Sequence, residues 1–261
     1  MDGFEEIREK ISQCDDKIIE ALTSRMNLIK DIITDKKHNQ VPNLYKIQER
    51  EQLSLTSRLD KNPFEDEILD IFTYIVRNSK KVQAKSLFSY NIMLIGFMGT
   101  GKSTVSTYLS ELFAMESVDI DQLIVEKESL SISDIFNKYG EEYFRNCESN
   151  ILIELQKKNQ LIVSCGGGVV LRDENIAHMK KNGRIVLLTG TPQTIFERVK
   201  NNTDRPILND NMNVEYIESL MEKRRERYME SADIVISTDH KSIPEICEEI
   251  IRQLSAIDCD L

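Results

Sequence analysis

The stretch Gly96-Phe97-Met98-Gly99-Thr100-Gly101-Lys102-Ser103 decides the fold of the second part of this chain. It has the pattern G-x-x-x-x-G-K-S and stands between an apolar run, predicted as a strand over 92–95, and a helical pattern over 102–113. Glycines let backbone N–H groups wrap around phosphates, and the dipole of the following helix favours their charge. We therefore predict a loop that binds a nucleoside triphosphate. Lys102 would bridge its β- and γ-phosphates, and Ser103 would ligate Mg²⁺.

The chain around this loop alternates between short β-branched runs and helical segments from residue 89 onward. Alternating β and α elements are typical of a parallel sheet with helices on both faces. We predict an α/β domain over 89–261 with a five-stranded parallel sheet. Its strands are expected at 92–95, 117–120, 161–164, 184–189 and 233–237.

Two polar or glycine-rich segments lie at the ends of predicted strands, at the edge where ligands bind in open α/β sheets. Asp119 could hold Mg²⁺ through water, and Asp121 could accept the proton of a substrate hydroxyl. A helix cap is the alternative for either aspartate. Gly166-Gly167-Gly168 follows the third strand, and it allows either close approach of a ligand or simply a tight turn.

Several basic residues near this edge are further candidates in an acidic half of the chain. Arg145 and Glu148 are three residues apart on one helix, so a surface ion pair is the simplest interpretation of their spacing. Arg205 lies in a polar segment, 201–206, that suits a mobile lid over the transferring phosphoryl group. Lys223-Arg224-Arg225 reads mainly as a solvated face, from which at most one side chain is expected to reach a site.

Together these positions resemble shikimate kinase over about residues 90–239. The matching motifs are G-F-M-G-T-G-K-S-T, D-I-D, G-E-E-Y-F-R followed by E, C-G-G-G, D-R-P-I-L, E-K-R followed by Y, and A-D-I-V. The resemblance implies transfer of the γ-phosphoryl of ATP to the 3-hydroxyl of shikimate, with Asp121 as the candidate base.

The resemblance also implies a role for each matching residue. The ATP site would comprise Gly99, Thr100, Gly101, Lys102, Ser103, Thr104, Arg198, which packs on adenine, and Arg205, the lid arginine. Shikimate would be bound by Asp121, Arg145, Glu148, Gly166, Gly167, Gly168 and Arg224. The two arginines 145 and 224 would hold its carboxylate, Glu148 would support Arg145, and Ser103 and Asp119 would hold the metal. Lys102, Asp121 and Arg205 would be the catalytic residues.

Residues 1–88 have a different character, with a single glycine, Gly3, and apolar residues at helical spacing. Three helices are predicted, over about 2–38, 44–59 and 63–88, with Pro42 interrupting the first and Asn62 capping the last. The apolar stripe of the first helix extends for roughly 50 Å. Because a compact three-helix unit is too small to cover that length, a partner chain is the simplest way to bury the stripe.

Polar residues interrupt the apolar faces of these helices. Arg25 and Lys36 point in directions only about 20° apart on the first helix, and Ser79 and Gln83 share one face of the third. Such residues either pair with each other or bind a ligand, and long side chains that reach water are the alternative.

The segment resembles the all-helical chorismate mutase family over about Phe4 to Lys85, from I-R-E-K-I-S to I-F-x-x-I-V-x-x-S-x-x-x-Q. The resemblance implies an intertwined homodimer in which chorismate rearranges to prephenate. Its site would be formed by Arg8 from the partner chain with Arg25, Lys36, Glu49, Ser79 and Gln83, where Lys36 and Gln83 are catalytic. Tyr45 and Gln48 depart from the family pattern. Two alternatives to a fully active mutase therefore stay open: altered mutase activity, and a domain that serves only regulation or dimerisation.

Composition limits the remaining possibilities. The net charge of −10 argues against a nucleic-acid or anionic-membrane partner. Five scattered cysteines show no disulfide or metal spacing, and neither a signal segment nor a long apolar run is present, which indicates a cytoplasmic enzyme. We expect a bifunctional enzyme that uses ATP with Mg²⁺. A kinase for another small polyol is the rival interpretation.

Overall fold

The structure is a computed structural model that describes residues 2–38, 54, 57–200 and 213–259. The chain divides into two compact units, Met1–Leu87 and Phe88–Leu261. The first is helical and the second is an α/β unit, which confirms the predicted fold class.

The first unit contains two long helices that pack against each other, α1 (Asp2–His38) and α2 (Glu65–Leu87). Acidic residues in the first turn of α2 and Lys85 in its last turn complement the helix dipole. The side chain of Asn62 accepts the N–H of Phe64 at 2.9 Å and caps the turn that leads into α2. The predicted middle helix over 44–59 lies almost wholly outside the described residues.

The 37 residues of α1 correspond to about 55 Å at 1.5 Å per residue. Much of its apolar stripe faces water in the single chain, since Phe4, Ile7, Ile11 and Ile18 are each more than half exposed. A stripe of this kind is typical of a helix that buries its apolar side against another element.

The second unit is built around one parallel sheet with strand order β2-β3-β1-β4-β5. Its strands are β1 (Asn91–Ile95), β2 (Glu116–Asp119), β3 (Leu161–Ser164), β4 (Gly183–Thr189) and β5 (Ile234–Ser237). The connecting helices are α3 (Lys102–Phe113), α4 (Ile120–Glu128), α5 (Ile132–Leu155), α6 (Asp173–Lys181), α7 (Pro192–Val199), α8 (Val214–Ser231) and α9 (Ile243–Cys259). A short 3₁₀ turn, Val169–Leu171, follows β3.

The strands β1 and β3 are buried along their whole length because helices cover both faces of the sheet. All five residues of β1 and all four of β3 are buried. In the register of the sheet, Ser164 pairs with Leu94 on one side and with Asp119 on the other. The segments that follow β1, β2 and β3 therefore begin at the same level of one edge, which brings three of the predicted motifs together.

Two local features differ from the sequence prediction. The second strand ends at Asp119, and Ile120 is already helical, because the Asp119 side chain caps α4. Helix α5 is interrupted at Gly140, where φ is 83° and ψ is 169°. Within the described residues, no helix has the length and apolar character needed to cross a bilayer.

Candidate active sites

The predicted phosphate loop connects β1 to α3 and depends on glycine backbone conformations. Gly96, Gly99 and Gly101 all have positive φ, with Gly96 at 144°. A Cβ atom on Gly96 would lie 2.3 Å from the carbonyl oxygen of Leu188 in β4. Since that oxygen belongs to the backbone of a central strand, no side chain fits at position 96.

Lys102 is the first residue of α3, so its backbone lies where a helix N-terminus attracts anions. Its ammonium group donates to the carbonyl oxygens of Gly96 at 2.9 Å and Phe97 at 3.1 Å. The positive charge is thus held along the loop, where it can meet the phosphates of a nucleotide.

Asp119 uses its two carboxylate oxygens for different contacts. Oδ1 accepts the backbone N–H groups of Asp121 at 3.0 Å and Gln122 at 3.3 Å, which makes Asp119 the cap of α4. Oδ2 accepts the hydroxyl of Ser103 at 3.2 Å. The helix cap and the metal-site hypothesis are therefore compatible.

This hydroxyl–carboxylate pair fits Mg²⁺, which proteins bind with one or two carboxylates together with water and substrate phosphates. Among the described residues, no group of three or more His, Cys, Asp and Glu side chains is arranged to hold a metal by itself. A metal held at Ser103 and Asp119 would thus depend on the nucleotide and on water for its remaining oxygen ligands.

The turn after β3 contacts the predicted acceptor residues. A Cβ atom on Gly166 would lie 2.6 Å from Oε1 of Glu148 and 2.8 Å from Oδ1 of Asp121. One on Gly168 would lie 2.3–2.5 Å from three atoms of the Arg145 guanidinium group. Both glycines are needed so that these charged side chains can approach the backbone.

Arg145 and Glu148 form a buried ion pair, whereas the spacing alone suggested a surface one. Arg145 is 7% exposed and Glu148 is fully buried, and their charged groups lie 2.5 Å apart. Arg145 also donates from Nε and Nη2 to the exposed carboxylate of Glu141, at 3.2 and 2.8 Å. Two carboxylates thus fix the guanidinium orientation.

Burial raises the pKa of Glu148 to about 7, although the charge of Arg145 opposes the shift. The negative charge of Asp121 adds to the rise. Oε1 of Glu148 has no hydrogen-bond partner within the part of the chain that the structure describes. An acceptor oxygen that is buried without a partner is typical of a site that a ligand completes.

Helix α8 brings Arg224 to the same turn. Its guanidinium group donates to the carbonyl oxygen of Gly167 at 3.2 Å, and the Tyr228 hydroxyl donates to the same oxygen. Arg225, by contrast, pairs with Glu222 on the solvent side of the helix, as expected for most of this charge run.

Arg198 in α7 contacts the nucleotide loop directly. It donates to the carbonyl oxygen of Gly99 at 3.2 Å and to the hydroxyl and carbonyl of Thr238, at 3.0 and 3.2 Å. The packing of Arg198 on adenine stays a prediction. Arg205, which was predicted to be a lid arginine, lies outside the described residues, as does the rest of 201–212.

Glu141 and Thr238 are contributors that sequence reasoning missed, and it gave Tyr228 no role. Their only sequence signals are spacing and position. Glu141 is four residues before Arg145, Tyr228 is four residues after Arg224, and Thr238 directly follows β5. These spacings put side chains on a shared helix face or at the binding edge, but they do not reveal which group each would contact.

In the helical unit, Arg25 of α1 donates to the hydroxyl of Ser79 in α2. Ser79 is buried, and Oε1 of Gln83, one turn later, is a buried atom with no hydrogen-bond partner among the described residues. Arg8 is exposed, 3.9 Å from Glu5. Lys36 belongs to α1, but its side chain is not among the described parts of the chain. Glu49, Tyr45 and Gln48 also lie outside the described residues.

The parallel sheet, the glycine loop and the lysine at the start of α3 define a P-loop phosphotransferase as the class of the second unit. The family model for shikimate kinase matches residues 98–255, more than half of the chain. The chain therefore belongs to the shikimate kinase family.

Several relatives share this unit over nearly their whole length. A shikimate kinase of Dehalococcoides mccartyi is 43% identical over 160 residues, which is 61% of this chain and 90% of that protein. One of Thermodesulfovibrio yellowstonii is 40% identical over 163 residues, or 62% and 94% of the two chains. The solved shikimate kinase of Acinetobacter baumannii, in complex with shikimate, is 30% identical with a TM-score of 0.62, and the match covers 68% of this chain and 98% of that one.

The first unit has its own match. The family model for chorismate mutase type II covers residues 7–84. The two matches together identify a bifunctional shikimate-pathway enzyme with a chorismate mutase domain followed by a shikimate kinase domain, which confirms the function predicted from the sequence.

Proposed function

We propose that the second domain, residues 89–261, transfers the γ-phosphoryl group of ATP to the 3-hydroxyl of shikimate. The observation that carries this proposal is the convergence of Asp121, Arg145 and Glu148 on the turn at Gly166–Gly168, beside the nucleotide loop. An arginine fixed by buried and exposed carboxylates suits a planar carboxylate, and neighbouring acidic oxygens suit hydroxyl groups. These are the functional groups of shikimate.

In the proposed reaction, Arg145 and Arg224 hold the substrate carboxylate, with Glu148 supporting Arg145. Asp121 accepts the proton of the 3-hydroxyl while the oxygen of that hydroxyl attacks the γ-phosphorus. The bond between the γ-phosphorus and the oxygen that bridges it to the β-phosphate breaks, and ADP leaves. Lys102 and the lid residue Arg205 neutralise negative charge on the phosphates. Alignment and electrostatics supply most of the rate enhancement in such transfers.

In this proposal, backbone N–H groups of the loop from Gly99 to Thr104 bind the phosphates, and Arg198 packs on the adenine ring. We assign Mg²⁺ to Ser103 and Asp119, which would hold it, and a metal bound there would neutralise negative charge on the phosphates. The free thiols among the described residues agree with a reducing, cytoplasmic setting for the enzyme.

We propose that the first domain, residues 1–88, rearranges chorismate to prephenate without a nucleophile or base. Arg25 would hold a carboxylate of the dianion in its reactive conformer, and Lys36, Ser79 and Glu49 would be the other polar groups of the site. Lys36 and Gln83 would donate to the ether oxygen, where negative charge develops. The contact between Arg25 and Ser79 supports this assignment, and Gln83 lies one turn after Ser79, on the same face of α2.

The position of Arg8 supports a homodimer. Arg8 and Arg25 are 17 residues apart on the same helix, which is about 25 Å along its axis. A substrate of chorismate's size cannot span that distance, so Arg8 would complete the site of a partner chain. The exposed apolar stripe of α1 would be buried in the same interface. A monomeric mass of 30.2 kDa in solution would exclude this arrangement.

Two assays test the activities separately. ADP release should depend on shikimate, and gluconate and nucleoside monophosphates should give only background rates. Loss of chorismate absorbance should report mutase activity, which Arg25→Ala and Gln83→Ala should each largely abolish without changing ADP release. Wild-type protein without chorismate turnover would instead indicate that the helical domain serves regulation or dimerisation.

A further inference from the structure

The carbonyl oxygen of Gly167 accepts two hydrogen bonds from helix α8. One comes from the guanidinium group of Arg224 at 3.2 Å, and the other from the hydroxyl of Tyr228, one helical turn later. The peptide of Gly167 is thus the point at which α8 and the turn after β3 are joined. Its other neighbours lie in the nucleotide loop, since a Cβ atom on Gly167 would be 3.7 Å from Gly96 O and 3.8 Å from Met98 N.

This placement puts Gly167 between the two substrates of the proposed kinase reaction. Gly166 and Gly168, on either side of it, contact the groups assigned to shikimate, while its own position faces the loop assigned to ATP. A small displacement of this peptide therefore changes the distance between the acceptor hydroxyl and the γ-phosphate. Displacements of about 1 Å can lower such rates by a hundredfold.

Tyr228 is well suited to prevent that displacement. It is 5% exposed and packs in the main core of the domain with Val169 and Val170. Burial raises the pKa of its hydroxyl to about 12, so the group stays protonated and donates at every physiological pH. Arg224 is only half-buried and has a long side chain with several rotamers, so it depends on Gly167 for its orientation.

We propose that Tyr228 is a positioning residue for phosphoryl transfer, which fixes the Gly167 peptide and thereby the guanidinium group of Arg224. The proposal rests on the proposed kinase function and extends it. Tyr228 does not touch the reacting atoms, and it acts through the carbonyl oxygen that it shares with Arg224 and through its own contact with that guanidinium group.

Removal of the hydroxyl alone should leave the helix in place. Arg227 on α8 forms a separate ion pair with Asp173 at 2.5 Å, and it also lies 3.5 Å from the carbonyl oxygen of Leu171. The ring of Tyr228 keeps its apolar contacts when it is replaced by phenylalanine. Tyr228→Phe therefore tests the hydrogen bond rather than the packing.

The experiment measures kinetics of the full-length chain carrying Tyr228→Phe, Arg224→Lys, or both. We expect Tyr228→Phe to lower kcat/KM for shikimate by about tenfold, the effect of one lost hydrogen bond to a well-ordered group. The KM for ATP should stay within about twofold of wild type. Because Tyr228 acts through Arg224, the double variant should be much less impaired than the product of the two single effects.

Tyr90→Phe is the matched control. Its hydroxyl also donates a part-buried hydrogen bond, to Asp258 at 2.7 Å, but it lies before β1, at the opposite end of the sheet. It should retain wild-type kcat/KM. Thermal unfolding of each variant separates a kinetic effect from a loss of fold.

The outcomes distinguish the two proposals. A wild-type chain without shikimate-dependent ADP release refutes the kinase function and this inference together. If the wild type is active, then an unimpaired Tyr228→Phe, independent multiplicative losses with Arg224→Lys, or an equal loss of ATP and shikimate affinity refutes the role of Tyr228 alone.

Discussion

Gly168 is the residue against which the guanidinium group of Arg145 rests, and a methyl group there has no room. Gly168→Ala would place Cβ within 2.5 Å of three guanidinium atoms, so the arginine must turn away from its present position. We expect KM for shikimate to rise by about tenfold to a hundredfold, since the arginine is displaced by roughly 1 Å. Steady-state kinetics with each substrate varied should show that KM for ATP changes little.

Gly167→Ala is the comparison within the same turn. Its nearest neighbour in the free protein would be 3.6 Å away, an ordinary contact distance. The unfolding temperature without substrates should therefore be nearly unchanged for Gly167→Ala and lower for Gly168→Ala than for wild type. Equal unfolding temperatures for the two variants would show that Arg145 moves at no cost.

Glu148 makes a second prediction at the residue scale, concerning pH. Its pKa in the folded chain is about 7 against an ordinary value of 4.5, so the folded state binds more protons between these two values. Stability must then fall as pH rises from about 4.5 to 7 and level off above. The contribution is on the order of 1–3 kcal/mol. Glu148→Gln should remove this part of the pH dependence.

The measurement is the free energy of unfolding of the kinase domain at pH 5 and pH 7.5, in wild type and Glu148→Gln. The relevant transition is the one that ATP stabilises. Glu141→Gln removes the other carboxylate on Arg145 and serves as a control, because that carboxylate is exposed. Parallel pH curves for wild type and Glu148→Gln would contradict the assignment.

At the scale of an element, helix α4 depends on Asp119 for its cap, while the proposed metal site depends on the same residue for charge. Asparagine caps helices as well as aspartate does, whereas alanine costs about 1 kcal/mol. Asp119→Asn should therefore keep the stability of wild type, and Asp119→Ala should lose about 1 kcal/mol. Both should lower kcat by about tenfold or more, since they remove the negative charge next to Ser103.

Two measurements separate these roles. Thermal unfolding reports the cap, and the Mg²⁺ concentration at half-maximal ADP release reports the metal site. Asp119→Asn with wild-type kinetics and unchanged Mg²⁺ dependence would leave Asp119 as a helix cap only.

The elements themselves were largely predictable. The strand over 161–164 and the helix over 102–113 have the predicted bounds, because apolar runs and a phosphate-loop motif are local signals. The end of β2 was placed one residue too late, since Ile120 continues the apolar pattern while the cap at Asp119 starts a helix. The break in α5 at Gly140 was not predicted, because a single glycine inside a helical pattern is also compatible with an unbroken helix.

The site shows the same division between local and tertiary information. The loop at 96–103 could be assigned from its own residues, whereas the burial of the Arg145–Glu148 pair could not. Three-residue spacing on a helix is the same for exposed and buried pairs. The pair is buried because the turn at Gly166–Gly168 lies against it, and the place of that turn depends on the order of the strands in the sheet.

At the scale of the whole molecule, an acidic chain handles three anionic substrates in the proposed activities. The net charge of −10 disfavours their approach, so binding must come from local groups rather than from the overall field. Each proposed site binds its anionic substrate through arginines that hydrogen bonds hold in place. These are Arg145 and Arg224 in the kinase domain and Arg25 in the helical domain. The two reactions are not consecutive in the pathway, so direct transfer between the sites is not required.

The shared-site dimer makes a prediction that only an assembly of two chains can satisfy. Arg8→Ala and Gln83→Ala should each lack most mutase activity as homodimers. In a mixed dimer, one site carries both substitutions and the other carries neither. Random mixing of the two variants should therefore restore about one quarter of wild-type mutase activity.

The mixed dimers can be formed by co-expression, and shikimate-dependent ADP release serves as an internal standard because neither substitution lies in the kinase domain. If the two inactive variants restore activity when mixed, Arg8 and Gln83 must act on the same substrate molecule from different chains. A co-expressed mixture no more active than its parents would mean that Arg8 does not cross the interface, and the 25 Å between Arg8 and Arg25 along α1 would then exclude it from the site altogether.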